Sequence, residues 1–174
     1  TRLAERYDNT HGLHAGEVII AISNSGKNCS PIEVALHAKK KGLTVIALTA
    51  LSMSTTAKTT HPGGKNLHTI ADHILDNGGA PGDAIVEIPP GPLDLHPKTH
   101  TEAGLPPEAL AKGGPTSTLI GATLLNLLAL EVIDWLVQNG HPLPVVQSQN
   151  LPGGMEHNIE LAKKYRTRLS KLIG

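Results

Sequence analysis

Hydrophobic positions in this chain come first as short unbroken runs and later as long helical stripes. Residues 17–23 form a β-rich run, Glu17-Val18-Ile19-Ile20-Ala21-Ile22-Ser23. Helical composition over 30–41 follows and stops at Gly42, and Leu43-Thr44-Val45-Ile46-Ala47-Leu48-Thr49 is again strand-like. This second run is apolar almost throughout instead of alternating, the pattern of strands buried on both faces in parallel sheets. Strand, short loop, helix, glycine, strand is the spacing of a βαβ unit with a right-handed crossover. Residues 52–58 predict a short helix. His73–Leu75 and Ala84–Ile88 predict two further strands, divided by the turn chemistry of Asn77-Gly78-Gly79-Ala80-Pro81-Gly82.

From Pro89 to Pro115 the chain is rich in Pro, Gly and His, with a helical turn expected around Pro107–Ala111. A connection of that length in a single domain is functional or mobile. A long helix is expected over about Thr116 to Asn139, bounded by Pro115 and Gly140. Its apolar surface runs most of the way round over Leu119–Leu130, which predicts packing on the sheet and on a second subunit, as a homodimer or homotetramer. That apolar stretch is too short to cross a bilayer and is interrupted by Asn126, so a buried helix is the expectation. About Met155 to Leu172 reads as an amphipathic helix with its basic residues late, where they suit the helix dipole.

Composition narrows the chemistry. At 174 residues and 39% hydrophobic content the chain is one domain with a real core. Lys plus Arg and Asp plus Glu each number 15, so no net charge draws it to nucleic acid or membrane, and an anionic ligand has to be held by local geometry. Tyr7, Trp135 and Tyr165 are the aromatic residues, too few for a base-stacking platform. The single Cys29 excludes an internal disulfide and fits a reducing cytoplasm. Residues 1–14 lack the apolar core of a secretory signal, and a start without Met reads as a fragment or trimmed polypeptide.

Ligands of open α/β sheets sit beyond the carboxyl ends of the strands, where loops lead into helices. Ser23, Asn24, Ser25, Gly26 and Asn28 lie at such an end. They offer hydroxyl and amide donors, a glycine that lets the backbone approach, and a following helix whose first N–H groups face an anion. A phosphate monoester fits, and so does an ordinary polar βα connection. The stretch is neither a Walker loop, since Lys27 precedes Asn28, nor a GxGxxG fingerprint. Ser30-Pro31-Ile32-Glu33 has the form of a capping Ser, Pro at the first helical position and Glu three residues on. Cys29 sits near the helix start without an evident partner and reads as structural filler.

Ser23-Asn24-Ser25-Gly26 after a strand, Gly114-Pro115-Thr116-Ser117-Thr118 before an apolar helix, and Asn150-Leu151-Pro152-Gly153-Gly154-Met155-Glu156-His157-Asn158 together resemble the sugar isomerase (SIS) domain family. Within it the closest likeness is to an uncharacterised phosphoheptose-isomerase-like branch, over nearly all of 15–170. The resemblance implies a flavodoxin-like parallel sheet flanked by helices, in three α/β/α layers, as one domain over 1–174 that binds a phosphorylated sugar. It implies phosphate contacts from Ser23, Asn24 and Ser25, a second contact group at Thr49 and Ser52, and an approach to the ligand by Thr116, Ser117 and Thr118. Asn28 departs from the family's Ser or Thr at its position. The upstream strand, helix and glycine-rich loop of relatives are missing from this chain, which is expected to be N-terminally incomplete and to hold part of an active site.

Aldose–ketose isomerisation needs a base beside a carbonyl and an acid to return protons, roles a carboxylate and an imidazole can fill. Glu156 and His157 are the candidates. Neighbours on a helix diverge by about 100°, so the two reach one substrate only with help from a second subunit. Glu156 equally suits a helix N-terminus without any catalytic role. Glu87 and Glu102 are alternative bases, the latter only if its long loop closes as a lid. The pairs His96/His100 and His68/His73 lack a third ligand at a recognisable spacing, and no metal or cofactor is expected. A non-catalytic sugar-phosphate sensor and an amino-sugar-phosphate lyase or etherase are the competing readings.

Overall fold

The computed structural model describes residues 5–6, 12–88 and 111–169. Its centre is a parallel sheet. Strand β1 (Val18–Ile22) pairs with β2 (Thr44–Thr49), and β2 pairs with β3 (His73–Asp76), in the order β1-β2-β3. Ile20 lies opposite Ile46, and Leu48 opposite Leu75. Helix α1 (Cys29–Lys40) makes the crossover from β1 to β2 and buries Ile32, Ala35 and Ala38, spaced three apart on one face, against Ala21, Val45 and Ala47. Two alanines on that face let the helix approach the sheet closely. Leu67, from a short 3₁₀ turn at Leu67–Thr69, closes the same core. Helix α2 (Leu51–Ser54) is a single turn after β2. This is the expected α/β architecture, a parallel sheet flanked by helices.

The start of α1 differs from the capping-box expectation. Asn28 is the N-cap residue, extended at φ −78 and ψ 144, and Ser30 and Pro31 lie inside the first turn. Pro is tolerated anywhere in that turn, because its missing N–H has no intrahelical partner there, so Pro31 alone cannot fix the boundary. Glu33 does not complete a capping box either; its Oε1 lies 2.9 Å from Nε2 of His61, across the sheet end.

Strand β4 (Ala84–Ile88) is outside the parallel sheet. It pairs antiparallel with β5 (Ala111–Pro115), with Val86 opposite Gly113 and Glu87 opposite Lys112. The end of the expected 89–115 loop is therefore strand. Lys112-Gly113-Gly114-Pro115 hides this in the sequence, since Gly and Pro are poor strand formers. Their smallness has a use here: side-chain atoms of Ile88 and Val86 lie 3.2 and 3.1 Å from where a Cβ on Gly113 and Gly114 would stand. Residues 89–110, with most of the helical turn expected at 107–111, lie outside the described residues.

Helix α3 (Ser117–Gln138) corrects the expectation of a buried helix. Gly121 is buried against Leu48 of the sheet, while Leu119, Leu130 and Val137 are 72%, 61% and 55% exposed. At 22 residues and a mean hydropathy of 1.7 over its most apolar window, α3 is long and apolar enough to cross a membrane by length and composition. The stretch Leu119–Leu130 alone understates it. Helix α4 (Gly154–Leu169) follows an irregular segment.

The N-terminus of α3 is capped from a distant residue. Asp83, at φ 70, accepts from the Ser117 N–H at 2.8 Å and its hydroxyl at 2.6 Å, and from the Thr116 N–H at 3.2 Å. The Ser117 hydroxyl, the largest influence, holds the Asp83 carboxyl below its ordinary value of 3.8; burial opposes it, and the backbone N–H groups of Ser117 and Thr116 add to the lowering. A lowered folded-state pKa means that the stabilisation is present above about pH 4 and is lost as pH falls through the lowered value. Asp83→Ala should lower the hydrogen-exchange protection factors of the first turn of α3 at neutral pH and abolish their further fall on acidification below about pH 4.

Candidate functional site

The turn between β1 and α1 begins with ladder continuity, the Ser23 N–H donating to Leu48 O at 3.0 Å. The chain then doubles back. Gly26 N–H donates to Ser23 O at 3.1 Å, with Gly26 in the left-handed region at φ +61. A Cβ on Gly26 would stand 3.0 Å from Cβ of Ser54 and 3.4 Å from Oγ1 of Thr49, so both conformation and space demand glycine.

The carbonyls of this turn are largely taken by the protein behind it. Asn24 O accepts from Ala50 N–H at 2.9 Å and Thr49 Oγ1 at 3.0 Å, and Gly26 O accepts from Leu67 N–H at 2.8 Å. Lys27 O accepts from the N–H and hydroxyl of Thr60 at 3.1 and 3.0 Å. The donors face the other way. The N–H groups of Ser25, Lys27, Asn28, Cys29 and Ser30, and the side chains of Ser23, Ser25, Lys27 and Asn28, have no hydrogen-bond partner among the described residues. The N-terminus of α1 adds its positive dipole end to this outward set of donors.

The candidate residues divide by geometry. Ser23, Ser25 and Asn28 keep free side chains at the turn. Asn24 is a brace: its Oδ1 accepts from Asn77 Nδ2 at 2.8 Å and its Nδ2 lies 3.5 Å from Met53 Sδ. Thr49 is fully buried beneath the turn with its hydroxyl on Asn24 O, and Ser52 Oγ donates to Gly79 O at 2.5 Å. Cys29 is exposed, with Sγ donating to Thr60 O at 3.3 Å.

The other candidates sit elsewhere in the hydrogen-bond network. Thr116 and Ser117 are engaged by Asp83, and Thr118 is exposed in the first turn of α3. Glu156 is exposed near the start of α4, and the His157 ring lies 2.9 Å from Val145 O through Nε2. Beside it Asn158 clamps the Gln147 backbone, accepting from its N–H and donating to its carbonyl, both at 2.8 Å. Gly154 must be glycine, because a Cβ there would meet Ser148 O. Among the described residues no hydrogen bond joins 116–118 or 156–157 to the 23–28 turn. Glu87 pairs with Lys112 across the β4–β5 ribbon at 3.8 Å. Glu102, His96 and His100 lie outside the described residues.

Sequence reasoning missed the second tier of this site. Asn77 positions Asn24 and accepts the Gly79 N–H at 3.0 Å, while Asp76 accepts the N–H groups of Leu51 and Gly78, each at 3.0 Å. The signal was available: Asp76-Asn77-Gly78-Gly79 stands at the carboxyl end of β3, where the rule that selected 23–28 also applies. Thr59 and Thr60 had no such marker, since they arrive from a loop.

Gly26→Ala should cost about 1–3 kcal/mol of stability, from a left-handed alanine pressed against Ser54. Thr49→Val, which keeps the shape and removes one donor, should cost about 1 kcal/mol. Denaturant unfolding of the two variants would check both, and a neutral result for Gly26→Ala would contradict the turn geometry.

The chain is similar to known proteins over this region. The sequence profile of the SIS domain matches residues 1–50, the part that holds β1, the 23–28 turn, α1 and β2. A UPF0309 protein of Caldanaerobacter subterraneus is 33% identical over 168 residues, covering 97% of this chain and 60% of the relative. A Geobacillus UPF0309 protein is 33% identical over 172 residues, covering 99% of this chain and 62% of the relative. One from Brucella anthropi is 37% identical over 166 residues, covering 95% and 58%. The chain thus spans about three fifths of the length of the curated relatives it matches. Over the segment that holds the donor-lined turn between the first two strands of the parallel sheet, the chain is thus similar to SIS-domain proteins.

Proposed function

We propose that this chain binds the phosphate group of a phosphorylated sugar at the 23–30 turn. The observation that carries the reading is the polarity of the turn: its carbonyls bond inward to Ala50, Thr49, Leu67 and Thr60, and its N–H groups and hydroxyls are left for a ligand. With a net charge of zero, the chain has no general attraction for anions, so such a local array of donors is what selects one. Ser23, Ser25 and Asn28 supply side-chain donors, Lys27 supplies charge, and the first turn of α1 supplies N–H groups.

Isomerisation is the reaction we assign to the phosphate-anchored sugar. Binding energy from the phosphate, remote from the reacting carbons, orients them. A base then takes the proton from the hydroxyl-bearing carbon next to the carbonyl while an acid protonates the carbonyl oxygen, giving an enediol; loss of the neighbouring hydroxyl's proton and return of a proton to the former carbonyl carbon move the carbonyl by one position. Glu156 is the favoured base in this chain, because its carboxylate is exposed while the His157 ring is engaged with Val145 O. Glu156 would act on a sugar held by the turn of a second copy, as α4 makes no hydrogen bond to its own 23–28 turn. The sensor reading is favoured by that same separation, and the experiments distinguish the two.

Ser23→Ala and Ser25→Ala should each weaken binding of hexose or heptose phosphates roughly ten- to hundred-fold, the worth of one hydrogen bond to a charged group. Isothermal titration against the phosphates and the parent sugars would check this; equal affinity for phosphorylated and plain sugars would sink the phosphate assignment. Glu156→Gln should leave phosphate-sugar affinity in place and abolish solvent-deuterium incorporation next to the carbonyl. A wild-type protein that binds tightly and exchanges no deuterium is a sensor.

A further inference from the structure

The segment 59–65 folds on itself. The Thr59 hydroxyl donates to Lys65 O at 2.7 Å and accepts the His61 N–H at 3.1 Å, and Gly64 N–H donates to His61 O at 3.0 Å. The His61 ring stands at its centre: the side chain is 8% exposed, and Nδ1 accepts the Gly63 N–H at 3.1 Å. Gly63 allows this approach, since a Cβ there would stand 3.0 and 3.1 Å from Cε1 and Nδ1 of the ring. With Nδ1 an acceptor, the ring proton belongs on Nε2, which donates to Glu33 Oε1 at 2.9 Å. A buried imidazole with both nitrogens taken inside the protein is placed to hold structure, not to move protons for a substrate.

What it holds is next to the candidate site. Thr60, the residue before it, supplies the N–H and hydroxyl that cover Lys27 O at 3.1 and 3.0 Å, and Thr60 O accepts from Cys29 Sγ at 3.3 Å. Glu33 lies on the second turn of α1, one turn beyond Cys29. The segment therefore grips the site at two points, the Lys27 carbonyl and the helix that follows it.

We propose that His61 is a positioning residue for anion binding: through Glu33 it ties 59–65 to α1, and so keeps Thr60 over Lys27 O while the N–H groups of Asn28, Cys29 and Ser30 stay turned to the ligand. The role rests on the reading of the 23–30 turn as a phosphate site. Electrostatics gives the tie its consequence. Two donors on the Lys27 carbonyl occupy its lone pairs, whereas the same oxygen uncovered would set a partial negative charge beside the phosphate. Thr60 is exposed and comes from a connection without secondary structure, so its hold on Lys27 O is as firm as the anchor behind it. The buried contact of His61 with Glu33 is that anchor.

Two substitutions divide the ring. His61→Gln keeps a donor where Nε2 stands and with it the link to Glu33; His61→Asn keeps an acceptor for Gly63 N–H and drops Glu33. The probe is inorganic phosphate, titrated into the whole chain and followed through the amide signals of residues 25–30 by NMR. His61→Asn should weaken phosphate binding about tenfold, within the range of one lost hydrogen bond to a charged group. His61→Gln should stay within about twofold of the parent chain. Glu33→Ala should also weaken binding, although removing a negative charge by itself favours an anion; unchanged or tighter binding there overturns the proposal. Urea unfolding separates position from stability, because a structural role alone lowers the midpoint and leaves the affinity of the folded chain unchanged, which likewise overturns it. Equal losses in His61→Gln and His61→Asn overturn it too, since Glu33 would then not be the operative link. If His61→Asn fails to fold, Glu33→Ala carries the test with the imidazole in place. Loss of binding in Ser25→Ala but not in His61→Asn or Glu33→Ala overturns the role of His61 alone. A parent chain whose 25–30 amides do not respond to phosphate overturns the phosphate site and this role with it.

Discussion

Everything at the candidate site follows from where the carbonyls of one turn go. A strand that ends in a tight reversal exposes donors and acceptors together, and such a mixed surface has no preference for ligand charge. Here Thr49-Ala50, Thr60 and Leu67 come from three places along the chain after β2 begins and remove the acceptors Asn24 O, Lys27 O and Gly26 O in turn. What is left is a surface of donors. The left-handed Gly26 makes this possible, because a side chain there would press on Ser54, Thr49 and Leu67, and its absence lets the turn lie close enough for its carbonyls to be reached. Anion affinity, in this view, is built by the second layer as much as by the serines in the first.

That division explains which parts of the site the sequence disclosed. Ser23, Ser25, Gly26 and Asn28 stand next to one another in the chain, so their chemistry could be read in line. Asn24 looked like one more donor, yet its amide is held by Asn77, fifty-three residues away, and adjacency could not reveal this. Thr49 misleads in the same way. A hydroxyl at the carboxyl end of a strand reads as a ligand group, but full burial beneath Asn24 O makes it a support. Capping followed the same logic: Ser30 looked local and sufficient, whereas α1 begins at Asn28 and α3 takes its cap from Asp83.

The fold was legible where the hydrophobic period was strong and uninterrupted. β1, α1 and β2 emerged with ends close to those observed, because a βαβ unit couples two apolar runs through a helix of fixed polarity. β5 was hidden because its Gly and Pro content belongs to turns, and it exists through the tertiary partner β4, with Val86 and Ile88 lying over its glycines. α3 is a different case: the sequence pattern expects a second subunit over part of it, and within one chain most of its surface is exposed. Hydrophobicity all round a helix says that each face has a partner and does not say that the partner belongs to the same chain.

The sheet makes the same point on its open side. β1 pairs with β2 along one edge, and among the described residues its other edge has no partner. Val18 and Ile22, which face away from α1, are 58% and 60% exposed. A parallel strand with a free edge and an uncovered apolar face is an incomplete surface, since parallel sheets owe their stability to cover on both sides. The proposed phosphate turn sits at the end of this strand, next to the exposed Ile22.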